Sequence, residues 1–166
     1  MENKELVMEA LKARKQSYCP YSGFAVGAAL LCEDGTVFHG CNIENAAYSA
    51  TNCAERTAIF RAVSEGNMRF RAIAIVGGPK ENEPGDFCPP CGVCRQVMTE
   101  FCDPETFRIV LMNGAGEIRE YLLKELLPFS LSAGFPLLIL LPDRPYRKAG
   151  FPAPILLHLK SAFPFL

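Results

Sequence analysis

Cys53-Ala54-Glu55 and Pro90-Cys91-Gly92-Val93-Cys94 are the two stretches from which the architecture of this chain follows. Together they offer three thiolates and one carboxylate that is not needed as a ligand. Three protein ligands on zinc leave a fourth position open for water, which is the pattern of a catalytic site rather than a structural one. We therefore expect Cys53, Cys91 and Cys94 to bind Zn²⁺ and Glu55 to act beside it.

The spacing of these residues places them at the ends of two helices. Cys91 and Cys94 are three residues apart, so at the start of a helix they lie on one side of it. Cys53 and Glu55 are two residues apart, and inside a helix such residues point to roughly opposite sides. Both can therefore serve one site only at the tip of a helix. Asn52 is a candidate N-cap for that helix. The sequence thus predicts a metal site between two helix N-termini.

Three thiolates give such a site a net negative charge, and an electron-rich zinc ion is a poor acid. Zinc can otherwise bring the pKa of bound water to about 7. Each helix N-terminus contributes about half a positive charge, which offsets part of the thiolate charge. We expect Arg56 to donate to a ligand sulfur and to offset more of it, and Arg95 is a weaker candidate for that role.

Other interpretations of the same residues stay open at this point. Cys88-Pro89-Pro90-Cys91 is a competing Cys-x-x-Cys pair. A structural site that combined Cys88 with the three other cysteines would leave Glu55 and Arg56 without a role. His39 is expected to be a strand-end residue rather than a ligand. The remaining cysteines are expected to pack as small hydrophobic side chains: Cys19, Cys32, Cys41 and Cys102.

Composition narrows the class of protein. The chain has 166 residues, so one domain is the default. Its net charge is −1, which gives no basic field for binding nucleic acid. No apolar run reaches the roughly 18 residues of a membrane span. The N-terminal residues are charged and resemble no signal peptide, so we expect a cytoplasmic protein with reduced cysteines.

Hydrophobic patterns predict alternating helices and strands, which favours an α/β fold. The expected architecture is a three-layer α/β/α sandwich around a mixed central sheet. We expect a catalytic domain over residues 1–130 and a Pro-rich apolar tail of unknown structure over 131–166. The predicted helices span 3–17, 51–65, 91–103 and 122–127, and the predicted strands span 24–32, 36–40, 71–76, 107–112 and 117–121.

Four stretches carry a resemblance to a known family: Cys-Pro-Tyr-Ser-Gly-Phe-Ala-Val-Gly-Ala-Ala-Leu-Leu (19–31), Gly-Cys-Asn-Ile-Glu-Asn-Ala-Ala-Tyr-Ser (40–49), Cys-Ala-Glu-Arg-Thr-Ala (53–58) and Pro-Cys-Gly-Val-Cys-Arg-Gln (90–96). With these motifs the chain resembles the cytidine deaminases over about residues 3–128. The first metal ligand of that family is either His or Cys. Because Cys53 occupies that position here, the chain resembles the three-cysteine branch, whose members are homotetramers. The resemblance implies one zinc per subunit and conversion of cytidine and deoxycytidine to uridine and deoxyuridine, a step of pyrimidine salvage.

The resemblance also implies roles for individual residues. Glu55 is expected to move protons from water to ring N3 and to the departing amine, and the backbone at Ala54 to recognise the base edge. In the substrate loop, Asn42 and Glu44 are expected to hold the ribose hydroxyls. Of the two aromatic residues, Phe24 is expected to stack near the base, and Tyr48 to help build a site shared between subunits.

Two rival functions and one departure accompany this resemblance. The rivals are a deaminase of another aminopyrimidine nucleoside such as blasticidin S, and a catalytically inactive zinc-binding protein. Asn42 and Glu44 suit a true ribose, and the charge of Glu44 disfavours a nearby phosphate. The family usually continues Leu-Leu-Pro-x-x-Phe, but here Leu131 takes the place of the aromatic that reaches a neighbouring subunit.

Overall fold

The computed structural model describes residues 1–127, so the predicted tail, its boundary near residue 130 and Leu131 lie outside the described residues. A 3₁₀ turn that the sequence did not predict spans Tyr48–Ala50. The remaining elements follow the predicted order. The helices are α1 (Asn3–Arg14), α2 (Ala54–Ser64), α3 (Gly92–Phe101) and α4 (Leu123–Leu126), and the strands are β1 (Phe24–Cys32), β2 (Val37–Cys41), β3 (Phe70–Pro79), β4 (Arg108–Met112) and β5 (Ile118–Leu122).

The five strands form one sheet in the order β2-β1-β3-β4-β5. β3 and β4 are parallel, and the other neighbouring pairs are antiparallel, which confirms the predicted mixed sheet. β1 is the apolar run that the sequence assigned to 24–32, and all but two of its residues are buried, because helices cover both of its faces. β1 pairs with β3 from Phe24 opposite Pro79 to Cys32 opposite Phe70.

Helices cover both faces of the sheet and complete the predicted three layers. On one face, α1 packs Leu6, Val7 and Ala10 against alternate residues of the strands. On the other face, α2 and α3 pack over a larger hydrophobic cluster that contains Ile59, Met98 and their neighbours. Burial of these apolar side chains is the main stabilising contribution to the fold.

Two glycines let helix backbones rest directly on the sheet. An idealised Cβ on Gly40 of β2 would lie 2.2 Å from the Ala54 carbonyl oxygen and 2.4 Å from the Ala58 nitrogen of α2. An idealised Cβ on Gly27 of β1 would lie 2.1 Å from the Ala10 carbonyl oxygen of α1. Gly40 therefore sets the position of the first turn of α2, which carries the predicted site residues.

Several boundaries differ from the sequence-based expectation, such as the end of α1 at Arg14 rather than at residue 17, and tertiary contacts explain two of them. The N-cap of α2 is Cys53 rather than Asn52. Asn52 instead exchanges backbone hydrogen bonds with Ile43, and its side-chain amide donates to the Thr57 hydroxyl at 3.0 Å. β3 runs on past the predicted end at Val76 to Pro79, because the first residues of β1 pair with it there.

Membrane-spanning helices are absent from the part of the chain that the structure describes, since none of its helices combines sufficient length with sufficient apolar character.

The close approach at Gly40 makes a prediction about stability. Gly40→Ala is expected to lower the free energy of unfolding by about 1–3 kcal/mol, because the added methyl group must push α2 away from β2. Gly92→Ala is the matched control, since the nearest atom to its idealised Cβ lies 3.9 Å away. Urea unfolding followed by circular dichroism measures both. Equal stability of the Gly40→Ala protein and the parent would contradict the assigned contact.

Candidate metal centre

The three predicted ligands meet at the N-termini of α2 and α3. Cys53 is the N-cap of α2, Cys91 is the N-cap of α3, and Cys94 lies in the first turn of α3. The Sγ atoms of Cys53 and Cys91 are 3.9 Å apart, and those of Cys91 and Cys94 are 3.5 Å apart. Within residues 1–127, these three cysteines form the group whose ligand atoms all lie within 4.8 Å of one another.

The sulfur positions fit a zinc ion and do not fit a disulfide. A Zn–S distance of about 2.3 Å in a tetrahedral site places two sulfur ligands about 3.8 Å apart, close to the observed separations. A disulfide requires an S–S distance of about 2.05 Å, and all three cysteines are free. Three sulfur donors would leave the fourth position of a tetrahedral zinc site open.

Cys88 is not in this sulfur group. It packs over Gly77 of β3 instead, where an idealised glycine Cβ would lie 2.7 Å from the Cys88 Sγ. Burial raises the pKa of the Cys88 thiol to about 11. The geometry therefore favours the three-cysteine set over the alternative site that includes Cys88.

Glu55 lies in the first turn of α2 and is only 4% exposed. Its carboxylate is not among the clustered ligand atoms. Burial raises the pKa of the Glu55 carboxyl to about 7, and the nearby Cys53 acts in the same direction. The helix tip thus brings a buried acid beside the sulfur cluster but outside the group of clustered ligand atoms.

Arg56 contacts the sulfur cluster directly. Its Nη2 donates to the Thr51 carbonyl oxygen at 3.1 Å and to the Cys53 Sγ at 3.6 Å. Hydrogen bonding to Cys53 raises the pKa of Arg56. The pKa of the Cys53 thiol falls to about 5, because Cys94 and then Arg56 donate hydrogen bonds to it and outweigh its burial. Arg56 therefore lies where a cation can offset thiolate charge.

Arg95, the weaker candidate for the same role, hydrogen-bonds to a different part of the chain. Its Nη1 donates to the Leu126 carbonyl oxygen at the end of α4. Arg95 thereby joins the helix that carries Cys94 to the last described helix, which is a structural contact between α3 and α4.

A pocket of about 180 Å³ opens beside the cluster. Of the predicted substrate-binding residues, it includes Asn42 and Ala54. The pocket is also lined by residues that the sequence analysis did not predict. Val26 is one of them, and nothing in the sequence distinguishes an apolar strand residue that lines a pocket from one in the core. The lining residues are Val26, Asn42, Thr51, Cys53, Ala54, Glu55, Cys88, Pro89 and Cys91.

Asn42 is a buried residue that ties the loop after β2 to β1. The Asn42 Oδ1 accepts from the Val26 backbone N–H at 2.8 Å, and its Nδ2 donates to the Phe24 carbonyl oxygen at 2.8 Å. These two bonds fix the amide plane, and the second Nδ2 hydrogen is left over for another acceptor. The side chain is therefore held in one orientation at the pocket wall.

Glu44 is buried as well, and the loop before β1 holds it. It accepts hydrogen bonds from the Ser22 hydroxyl at 2.5 Å and from the Tyr21 backbone N–H at 2.9 Å. These bonds, with that from Ser22 the strongest, lower the pKa of the Glu44 carboxyl. Glu44 is thus a fixed carboxylate, but it does not line the small pocket beside the sulfur atoms.

The two aromatic residues are the most exposed of the five predicted substrate-binding residues. Phe24 is 41% exposed, and its ring meets the side of Gly77 where Cys88 also packs. Tyr48 is 63% exposed in the 3₁₀ turn and does not line the pocket. Phe24 therefore lies next to the pocket, whereas Tyr48 is not part of the pocket within one chain.

A larger groove of about 360 Å³ lies at the N-terminal ends of β3 and β4. Its lining contains none of the predicted site residues, and it has charges of both signs from Glu33, Arg71 and Arg108. If volume were the only criterion, this groove would be the candidate functional site. The convergence of three sulfurs, a buried carboxylate and an arginine selects the smaller pocket.

Comparisons with known proteins agree with this site. A family profile described as the cytidine and deoxycytidylate deaminase zinc-binding region matches residues 1–110. A cytidine deaminase of Sporosarcina psychrophila is 52% identical over 135 residues, which cover 80% of this chain and 93% of the relative. A cytidine deaminase of Halalkalibacterium halodurans is 50% identical over 133 residues, covering 80% of this chain and 96% of the relative. The crystal structure of cytidine deaminase from Burkholderia pseudomallei superposes with a TM-score of 0.72 at 47% identity, covering 79% of this chain and all of that one.

The sulfur geometry predicts which cysteines retain metal. Cys91→Ala is expected to lose bound zinc, because it removes one of three ligands, whereas Cys88→Ala is expected to keep it. Elemental analysis of the purified, dialysed proteins measures zinc per chain. Retention in Cys91→Ala together with loss in Cys88→Ala would show that the ligand set is wrong.

Proposed function

The chain belongs to the cytidine deaminase family, and from this membership and the site geometry we propose that it hydrolyses cytidine and deoxycytidine to uridine and deoxyuridine with release of ammonia. The observation that carries the proposal is the meeting of three sulfurs, at 3.5 and 3.9 Å, with a buried carboxylate that is not part of the ligand group. A structural zinc site has no need of such a carboxylate.

Cys53, Cys91 and Cys94 would hold one zinc ion per chain. When bound there, zinc supplies Lewis acidity that lowers the pKa of a water molecule beside it. Glu55 accepts a proton from the attacking water and passes it to N3 of the ring. The water oxygen bonds to C4. Glu55 then takes the second water proton from the hydroxyl group now on C4 and delivers it to the amino group as the C4–N bond breaks, so the ring gains one oxygen and loses ammonia.

Substrate binding is assigned to the residues around the pocket. The free Nδ2 hydrogen of Asn42 suits a ribose hydroxyl oxygen, and the fixed carboxylate of Glu44 suits ribose hydroxyl donors. Ala54 lines the pocket, and its backbone N–H and carbonyl groups suit the polar edge of the base. Phe24, exposed beside the pocket, supplies a face on which the base can stack.

The charge of Glu44 also bears on the choice among substrates. A buried carboxylate repels a phosphate group placed near the ribose, which favours a nucleoside over a nucleotide. Asn42 and Glu44 together suit the two hydroxyl groups of a ribose. This favours cytidine over blasticidin S, the rival substrate in the sequence analysis.

The oligomeric state is part of the proposal. Tyr48 is 63% exposed, although its family role is to build a site shared between subunits, and this supports a homotetramer in which Tyr48 meets another copy. The eight cysteines are all free, which supports a reducing compartment such as the cytoplasm. The proposed reaction would serve pyrimidine salvage there.

Glu55→Gln is the variant that tests the chemistry. It keeps the size of the side chain and removes the proton acceptor, so turnover of cytidine is expected to fall by about 10⁴-fold, the upper end for general acid–base catalysis. Zinc and cytidine binding are expected to persist, because ligands and ribose contacts are unchanged. The loss of ultraviolet absorbance of cytidine on deamination measures turnover.

Glu65→Gln is the matched control for this test, since Glu65 is an exposed residue that pairs with Arg61 at the far end of α2. Near-parental deamination by a folded, zinc-loaded Glu55→Gln protein would overturn the mechanism. Absence of any deamination by the zinc-loaded parent would favour the inactive zinc-binding protein instead.

Arg56→Gln tests the offset of thiolate charge. Residues that act on metal ligands typically change activity by about 10–100-fold, and we expect a loss in turnover of that size. Removal of the positive charge raises the pKa of the attacking water, so the acidic limb of the rate–pH profile is expected to move to higher pH. Arg61→Gln on the same helix is the control. An unchanged pH profile in a folded Arg56→Gln protein would contradict the role.

A further inference from the structure

The segment from Lys80 to Cys91 delivers one of the three proposed zinc ligands, yet few hydrogen bonds hold it. The Gly85 backbone N–H donates to the Gly77 carbonyl oxygen of β3 at 2.9 Å. Beyond Gly85, the described bonds of residues 86–90 consist of one local contact, from the Phe87 N–H to the Asp86 carboxylate. Pro89 and Pro90 have no N–H to donate. Packing of side chains must therefore hold the approach to Cys91.

The turn between β4 and β5 contacts this segment through its backbone. The Gly114 N–H donates to the Gly85 carbonyl oxygen at 2.6 Å. An idealised Cβ on Gly114 would lie 2.1 Å from the Pro84 carbonyl oxygen. Only a residue without a side chain can therefore bring the turn this close to the segment.

Arg119 of β5 makes the second contact, over the ring of Phe87. The guanidinium carbon lies 4.2 Å from the ring centroid, within the range of a cation–π interaction. The Glu117 carboxylate accepts from the Arg119 Nε at 2.9 Å and orients the guanidinium group. Phe87 also packs against the larger hydrophobic cluster of the core. Its ring is thus held between the core and Arg119, four residues before Cys91.

We propose that Gly114, Glu117 and Arg119, which we call the hairpin clamp, are positioning residues that hold Cys91 in place for zinc. The inference rests on the proposed zinc site and extends it to an edge strand that carries no ligand. A surface ion pair such as Glu117–Arg119 contributes little to stability by itself. Its effect here comes from where it places the guanidinium group, on the one large side chain of residues 86–90.

Arg119→Ala is the principal test, with the rate of zinc transfer from the loaded protein to an excess of a chromophoric chelator as readout. Loss of an exposed cation–π contact is expected to speed zinc release by about two- to fivefold. Arg119→Lys keeps a cation over the ring and is expected to restore most of the parental rate. Gly114→Ala moves the segment itself and is expected to speed release by about tenfold or more, in the range of residues that orient metal ligands.

Arg61→Ala is the matched control, because Arg61 lies 5.9 Å from the Phe38 ring and also pairs with a glutamate, but contacts no part of the segment from Lys80 to Cys91. It is expected to release zinc at the parental rate. Faster release from Arg119→Ala but not from Arg61→Ala supports the clamp. Parental release from Arg119→Ala, or equal acceleration in both variants, overturns it.

The zinc content of the parent separates this inference from the proposed function. A parent that holds no zinc overturns the proposed function and the clamp together. A parent that holds one zinc per chain, with release unaffected by Arg119→Ala, overturns the clamp alone. If Gly114→Ala does not fold, the Arg119 variants still decide the result.

Discussion

Two helix N-termini that face one another across three sulfur atoms are the constraint on which the rest of this structure depends. α2 and α3 each begin at an N-cap cysteine, and the two Sγ atoms lie 3.9 Å apart. Each N-terminus carries about half a positive charge, so their close approach is unfavourable unless anionic groups lie between them. Cys53, whose thiol pKa is lowered to about 5, supplies such a charge, and a zinc ion held by the three sulfurs would join the two helices.

Charge balance then explains the other residues of the site. The thiolate cluster attracts the guanidinium of Arg56, which reaches both Cys53 and the Thr51 carbonyl oxygen. Glu55 lies beside the same cluster but is buried, and both burial and the neighbouring sulfur raise its pKa. A structural zinc site needs no carboxylate beside its ligands, whereas a hydrolytic site can use one to move protons.

The position of the sulfur cluster also depends on elements that carry no ligand. Gly40 lets α2 rest on β2, so that the first turn of the helix reaches the pocket. Gly77 lets Cys88 and Phe24 pack against β3, which shapes the pocket wall. Gly85 is bonded both to β3 and to the turn after β4. The site is therefore held by the sheet as much as by the two helices.

The amino-acid sequence by itself determined the order of elements, the bounds of β1 and which cysteines and acidic residue could meet at the helix tips. These follow from short-range physics, because an apolar run favours a buried strand and a spacing of two or three residues restricts which side chains share a helix tip. The helix N-cap at Cys53, the extension of β3 to Pro79 and the pocket residues Val26 and Pro89 did not follow from it. Tertiary structure alone decided these, since strand pairing and close glycine contacts set which distant residues meet, and Cys53 and Cys91 are 38 positions apart in the chain.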